Sequence, residues 1–213
     1  MTLLPPINHC KICFKEIKIS DFCRFFDRKT CICQSCQRQI APKFISFDVD
    51  GYKAIAIYEY SEFIKNLIYL YKGCSDYEMK DVFLNLFIKE LRIRYKDYKI
   101  IPIPSYKEDD EARGFNHVNE VFKLFKQDML YVLSKTQHFK QASKGAKKRK
   151  EIHKYLKLNT AKSLSKYKVL IVDDIYTTGS TMKSAINLVE KLNPKEIKVL
   201  VLAKTKTKDK EKI

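Results

Sequence analysis

The sequence predicts an α/β protein in which a mostly parallel sheet is flanked by helices and preceded by a small four-cysteine module. Three observations predict it. Strand-like apolar runs alternate with helix-periodic segments along most of the 213 residues. One run, VLIV at 169–172, is unbroken, as expected of a strand buried on both faces, yet Asp173 and Asp174 follow it at once. Finally, six of the seven cysteines fall within the first 36 residues, four of them as two Cys-x-x-Cys pairs.

The first element is the cysteine module, taken as residues 1–43. In CKIC (10–13) and CQSC (33–36) a tight turn can aim two thiolates at one point, and 19 intervening residues can bring the turns together. That is the spacing of a four-cysteine structural zinc site with Cys10, Cys13, Cys33 and Cys36 as ligands. Cys31 is an alternative to Cys33, since TCICQSC offers three candidates. Disulfides are the competing reading of clustered cysteines. The N-terminus MTLLPPINHC lacks a basic segment followed by an apolar one, so the expected location is cytoplasmic, where thiols stay reduced, with peripheral association at the inner membrane left open. A segment this small lacks a core of its own, so metal and fold should be inseparable. Cys23, among Phe22, Phe25 and Phe26, reads as a small buried hydrophobe, and Cys74 has no ligand beside it.

The second unit, residues 44–203, opens with FISFDVDGYKAIAIYEYS (44–61), two strand-like arms around an Asp50-Gly51 turn. Phe63, Ile64, Leu67, Ile68 and Tyr71 then recur at helical spacing, and after Lys72-Gly73 the pattern continues through Val82, Phe83, Leu86, Phe87 and Leu91 as core-facing helix. YKIIPIPS (98–105) reads as a strand closed by prolines, YKEDDEARGFN (106–116) as a polar loop, and the stretch from Asn116, with Val118, Val121, Phe122 and Phe125 on one face, as a helix. LYVL (130–133) is expected as a strand and 134–150 as a loop. After the VLIV strand, Met182, Ala185, Ile186, Val189 and Leu192 mark a helix ending at Asn193-Pro194, and 197–203 the returning strand.

The segment 173–181 is expected to be a loop beyond the carboxyl end of a parallel strand, where α/β sheets bind ligands. It carries the parts of a phosphate cradle. Gly179 lets backbone N–H groups turn inward, Ser180 and Thr181 open a helix, and Thr177 and Thr178 add hydroxyls. Ionised Asp173 and Asp174 only accept hydrogen bonds, so their partners are hydroxyls or a hydrated metal ion. Together these describe a sugar phosphate. A capped helix with a solvated Thr-rich turn would explain only one acid and one threonine, and a Walker loop is excluded because its GxxxxGK[ST] pattern is missing.

The formal net charge of +17 suggests a polyanionic partner such as nucleic acid. A coding bias toward AT-rich DNA would also produce 35 lysines against 7 arginines, but several charges are clustered. KGAKKRK (144–150) holds five basic residues, and the basic tail 204–213 reads as disordered. No stretch approaches 18 uncharged apolar residues, so no integral membrane segment is expected.

With these residues in view, VLIVDDIYTTGST resembles the signature of type I phosphoribosyltransferases, which bind 5-phosphoribosyl-1-pyrophosphate (PRPP). The paired CxxC turns and IPIPS (101–105) followed by ARGFNH (112–117) narrow the resemblance to the ComF family of competence proteins, over nearly the whole chain. The resemblance implies a type I phosphoribosyltransferase-like fold behind an N-terminal zinc ribbon. It implies that Asp173 and Asp174 are the catalytic pair and hold the ribose hydroxyls, and that Thr177, Thr178, Gly179, Ser180 and Thr181 hold the 5′-phosphate. Pyrophosphate and magnesium would lie near Ser105, with Arg113 as a contact and Lys72 facing the site. Gln141 and Arg149 have the separation of the family's mobile-loop pair, but Ile152 stands where that loop carries asparagine.

Three functions fit this reading. The first is a PRPP-binding protein that assists uptake or handling of single-stranded DNA in natural transformation, beside DNA-uptake or helicase machinery. Lys144, Lys147, Lys148, Arg149 and Lys150 would contact phosphates while tyrosines and phenylalanines stack on bases. The second is a magnesium-dependent enzyme transferring phosphoribosyl to an unidentified acceptor. The third makes the cysteine module a docking element for a transport or helicase partner.

Overall fold

The computed structural model describes residues 9–17, 31–125, 128–135 and 156–206. In the cysteine region a tight turn at 11–13 faces the short helix α1 (Gln34–Gln39). The hairpin β1 (Ile45–Val49) and β2 (Tyr52–Glu59) follows, and its two turn residues both have positive φ, 52° at Asp50 and 88° at Gly51, the conformation that matches hairpin twist. Next comes α2 (Glu62–Gly73), whose N-terminus is capped by the Ser61 hydroxyl accepting from the Ile64 amide at 3.3 Å.

The helical period from 77 to 94 does not form one helix. It is broken into a 3₁₀ turn (Tyr77–Met79), α3 (Lys80–Leu84), a second 3₁₀ turn (Asn85–Phe87) and α4 (Ile88–Arg94). Each tightened turn rotates the apolar stripe, which leaves Leu86, expected in the core, 38% exposed. Then follow β3 (Tyr98–Pro102), α5 (Lys107–Arg113), α6 (His117–Lys123), β4 (Leu133–Lys135), β5 (Leu156–Leu158), β6 (Lys168–Tyr176), α7 (Ser180–Glu190) and β7 (Glu196–Lys204).

Three of these elements differ from the sequence reading. The polar stretch after Ser105 holds a helix, α5. It buries no residue and so shows no apolar period, but Glu108, Asp109 and Asp110 in its first turn complement the helix dipole, and Gly114 ends it at φ 85°. LYVL is not a strand of the main sheet: the strand begins at Leu133 and pairs with β5 in a separate antiparallel sheet. Asp173 and Asp174 lie inside β6, which continues to Tyr176, and are not part of the loop that follows.

The five-stranded sheet has the order β1-β2-β7-β6-β3, antiparallel at the β1–β2 hairpin and parallel at the other three pairings. Residues Val169 to Val172 of β6 are each 0% exposed. Alternation sends Leu170 and Val172 into a core shared with α2, α3, α4 and α6, while Val169 and Ile171 enter a second core with α7 and the β4–β5 pair. Burial on both faces, worth roughly 1.5–3 kcal/mol for each such side chain, explains the unbroken apolar run. Cys10, Ile32, Cys36 and Ile40 belong to the first core, so the cysteine turns are packed on the same hydrophobic mass as α2 and α3. Among the described residues no helix is long and apolar enough to cross a membrane.

Candidate functional site

The cysteine turns form one centre. The Sγ atoms of Cys10, Cys13, Cys33 and Cys36 all lie within 4.8 Å of one another, and those of Cys13 and Cys33 are 3.6 Å apart. A tetrahedral zinc–thiolate site with Zn–S near 2.3 Å has edges of about 3.8 Å, so this donor set fits a metal such as zinc. Cys31 is outside it. Its Sγ donates instead to the Asp81 carbonyl at 3.7 Å, whereas Cys33 lies within the four-cysteine group. Lys11, between the first two ligands, is ion-paired to Glu78 and Asp81, each at 2.6 Å, and fastens the turn to the 3₁₀–α3 segment.

At the carboxyl end of the sheet the two adjacent acids do different things. Consecutive strand residues point to opposite faces, so Asp173 and Asp174 are neighbours in sequence without being a pair in space. Asp174, 8% exposed, faces α2 and α6, where its Oδ2 accepts from Lys72 Nζ at 2.6 Å and from His117 Nε2 at 3.1 Å. Burial works to raise its pKa, but the His117 hydrogen bond and the Lys72 charge hold the carboxyl well below the usual range. Asp173 lines a depression formed with Ile175, Tyr176 and residues 177–182. Burial and the charge of Asp174 push its carboxyl well above the ordinary value. Burial also lowers Lys135, on β4, against the opposing pull of Asp173.

The loop after β6 is shaped by Gly179, whose φ of 77° sets the turn into α7. A side chain there would collide with the Tyr176 hydroxyl as well as strain the backbone. The first intrahelical bond runs from the Lys183 amide to the Gly179 carbonyl, so the amides of Ser180, Thr181 and Met182 have no acceptor within the helix. Thr177 and Thr178 are exposed, and the Thr178 and Ser180 hydroxyls lie 3.1 Å apart. Hydroxyls, open amides and a helix N-terminus thus line the depression that Asp173 closes, a donor set for a phosphate beside an acceptor for hydroxyls.

Ser105, Arg113 and Lys72 converge with Asp174 around His117, the last residue of ARGFNH, whose role is not legible from the sequence alone. Arg113 is deeply placed: its Nε donates to the Lys72 carbonyl at 2.9 Å, and its Nη1 to Asp110 at 3.1 Å and to His117 Nδ1 at 3.2 Å. Ser105 Oγ is 3.3 Å from His117 Nδ1 and accepts from Asn116 Nδ2 at 3.2 Å. The sequence cue was faint: a histidine four residues after Arg113, opening a helix capped by Asn116. The basic cluster Lys144, Lys147, Lys148, Arg149 and Lys150, with Gln141 and Ile152, lies outside the described residues.

Residues 111–213 match the family model described as phosphoribosyl transferase domain. Competence protein ComFC of Streptococcus pneumoniae is 29% identical over 149 residues, covering 70% of this chain and 67% of that protein. The ComFC relatives and the phosphoribosyl transferase domain together support placing the chain with the ComF family. ComFC of Bacillus subtilis is 28% identical over 134 residues, and the aligned part covers 61% of this chain and 55% of that relative. A purine phosphoribosyltransferase from Pyrococcus horikoshii Ot3 aligns with 59% of this chain and 73% of its own at 23% identity and a TM-score of 0.37. The matched domain begins within α5 and takes in Arg113, His117 and the whole of β6 to β7; Lys72 and the cysteine centre precede it.

Proposed function

We propose that this protein binds PRPP with magnesium and acts in competence on incoming single-stranded DNA, beside the DNA-uptake or helicase machinery of the cytoplasm. The observation that carries the reading is the depression at the end of β6, where Asp173 adjoins the hydroxyls of residues 177–181 and the amides that open α7. A ribose diol suits the carboxylate and a 5′-phosphate suits the amides. Magnesium would be held with the pyrophosphate near Ser105, where it would neutralise phosphate charge. Zinc at Cys10, Cys13, Cys33 and Cys36 would be structural. The net charge of +17 and the relatives' competence names support the DNA role, with Lys144, Lys147, Lys148, Arg149 and Lys150 as contacts.

The test is calorimetric titration of PRPP with and without magnesium, on wild type and Asp173→Ala, followed by titration of single-stranded DNA with and without PRPP. Saturable binding that requires magnesium and is lost in the variant is expected. DNA affinity should fall with salt by roughly 0.7 log unit per phosphate contact for each log unit of salt. Absence of PRPP binding, or a salt-independent DNA association, sinks the corresponding half of the proposal. Because binding linkage is reciprocal, any change PRPP makes in DNA affinity must equal the change DNA makes in PRPP affinity.

The match to a phosphoribosyl transferase domain favours a second reading, enzymatic transfer of phosphoribosyl to an acceptor. Pyrophosphate release dependent on an added base or amine would establish it. No release across a broad acceptor set would leave PRPP as a bound regulator.

A further inference from the structure

We infer that His117 is a positioning residue, a neutral imidazole that carries its proton on Nε2 and holds the Asp174 carboxylate in place while Lys72 leaves it for the phosphates of the ligand. The inference rests on the PRPP reading for its ligand, but not for the state of the ring. Arg113 can only donate, and its Nη1 lies 3.2 Å from His117 Nδ1, so Nδ1 must offer a lone pair. Ser105 Oγ, 3.3 Å from the same nitrogen, can donate to it as well. The single ring proton is therefore on Nε2, where it meets Asp174 Oδ2 at 3.1 Å, an atom that can only accept. The backbone is pinned too, because Tyr71 Oη donates to the His117 carbonyl at 2.8 Å. Protonating Nδ1 would set two donors against each other.

The two partners of Asp174 differ in freedom. The His117 side chain is 7% exposed and the Lys72 side chain 41%. Lys72 can therefore swing toward an anion arriving at the strand end, and His117 cannot. A buried carboxylate stripped of its ion-paired lysine would be costly, but one still hydrogen-bonded by a fixed donor keeps its charge and orientation. Through Ser105 on one side and Asp174 on the other, the ring also joins the segment after β3 to β6, the two stretches expected to hold the ends of PRPP.

The experiment uses the zinc-loaded full chain and calorimetric titration of PRPP with magnesium on wild type, His117→Ala and His117→Gln, with long-range proton–nitrogen NMR of the histidine rings at pH 7. Loss of an outer supporting contact of this kind weakens binding about tenfold, which is the loss expected for His117→Ala. His117→Gln keeps a distal N–H for Asp174 and should restore most of the affinity. Equal affinity of wild type and His117→Ala overturns the inference, as does equal weakness of the Ala and Gln variants, which would mean that only the ring's bulk matters. If the wild type fails to bind PRPP, the proposed function falls and the NMR decides alone: an Nε2–H ring supports the inference, while an Nδ1–H ring or an imidazolium overturns it.

Discussion

The cysteine centre and the carboxylate hub are both polar sites set against one hydrophobic core, and they are assembled in opposite ways. In the cysteine centre all four donors come from two short stretches, the turn at 11–13 with Cys10 and the start of α1, and the metal they fit would supply free energy that keeps them together. In the hub, Asp174 is joined to Lys72 from 102 residues away and to His117 from 57 residues away, and the sheet brings them together before any ligand arrives. One site is local and suited to a metal; the other is distant in sequence and depends on the fold.

The largest effect expected from breaking this contrast is at the metal. Zinc binding to such a site is worth on the order of 10 kcal/mol, so a strong chelator should release the cysteine turns and expose the chain near Lys43 to protease, with a fall in thermal midpoint. Cys33→Ser should lose the metal, while Cys31→Ser should retain one zinc per chain by elemental analysis. The reverse result would reassign the ligands.

The two aspartates come next. Asp174→Ala should cost about 2 kcal/mol in urea denaturation because it strands His117 in the interior, a figure kept low because Lys72 is partly solvated. Asp173→Ala should change stability by less than about 1 kcal/mol, since its charged form is already disfavoured in the fold. Equal losses would mean that the acids act as a pair after all. Gly179→Ala should cost about 1 kcal/mol from the left-handed backbone, with a larger effect on PRPP affinity than on stability, because the Tyr176 ring that must give way lines the same depression.

The smallest effect concerns pH. Burial lowers His117, despite the opposing hydrogen bond and charge of Asp174, and the charges of Lys72 and Arg113 add to the lowering. The unfolded chain therefore binds more protons there than the native protein. The stability His117 contributes is full above its unfolded pKa near 6.5 and is lost as pH falls below it, by at most about 1.4 kcal/mol per pH unit. Denaturation midpoints between pH 7.5 and 5.5 should fall more steeply for wild type than for His117→Gln. Parallel curves would remove His117 as the source.

Much of this was legible in the residues because the signals were local. Paired CxxC turns, an Asp-Gly hairpin, a doubly buried VLIV strand and a Gly-Ser-Thr entry to a helix each act within a few positions. The misses have physical causes. α5 buries nothing and so has no apolar period, Leu86 was turned outward by 3₁₀ segments, and the strand end was placed at Val172 because acids rarely continue a buried strand. His117 escaped because a lone histidine acquires a role only from what it touches.

The sequence by itself determined which atoms could hold a metal, where a phosphate could sit and that a parallel sheet would carry the phosphate end, since these depend on spacing, turn chemistry and burial along one stretch of chain. Only the tertiary structure decided that Asp173 and Asp174 part company, one facing the ligand depression and the other locked to Lys72 and His117. The reason is strand alternation: side chains one residue apart point to opposite faces of a sheet, so adjacency in sequence becomes separation in space, and the partners that tell the two acids apart arrive from distant elements.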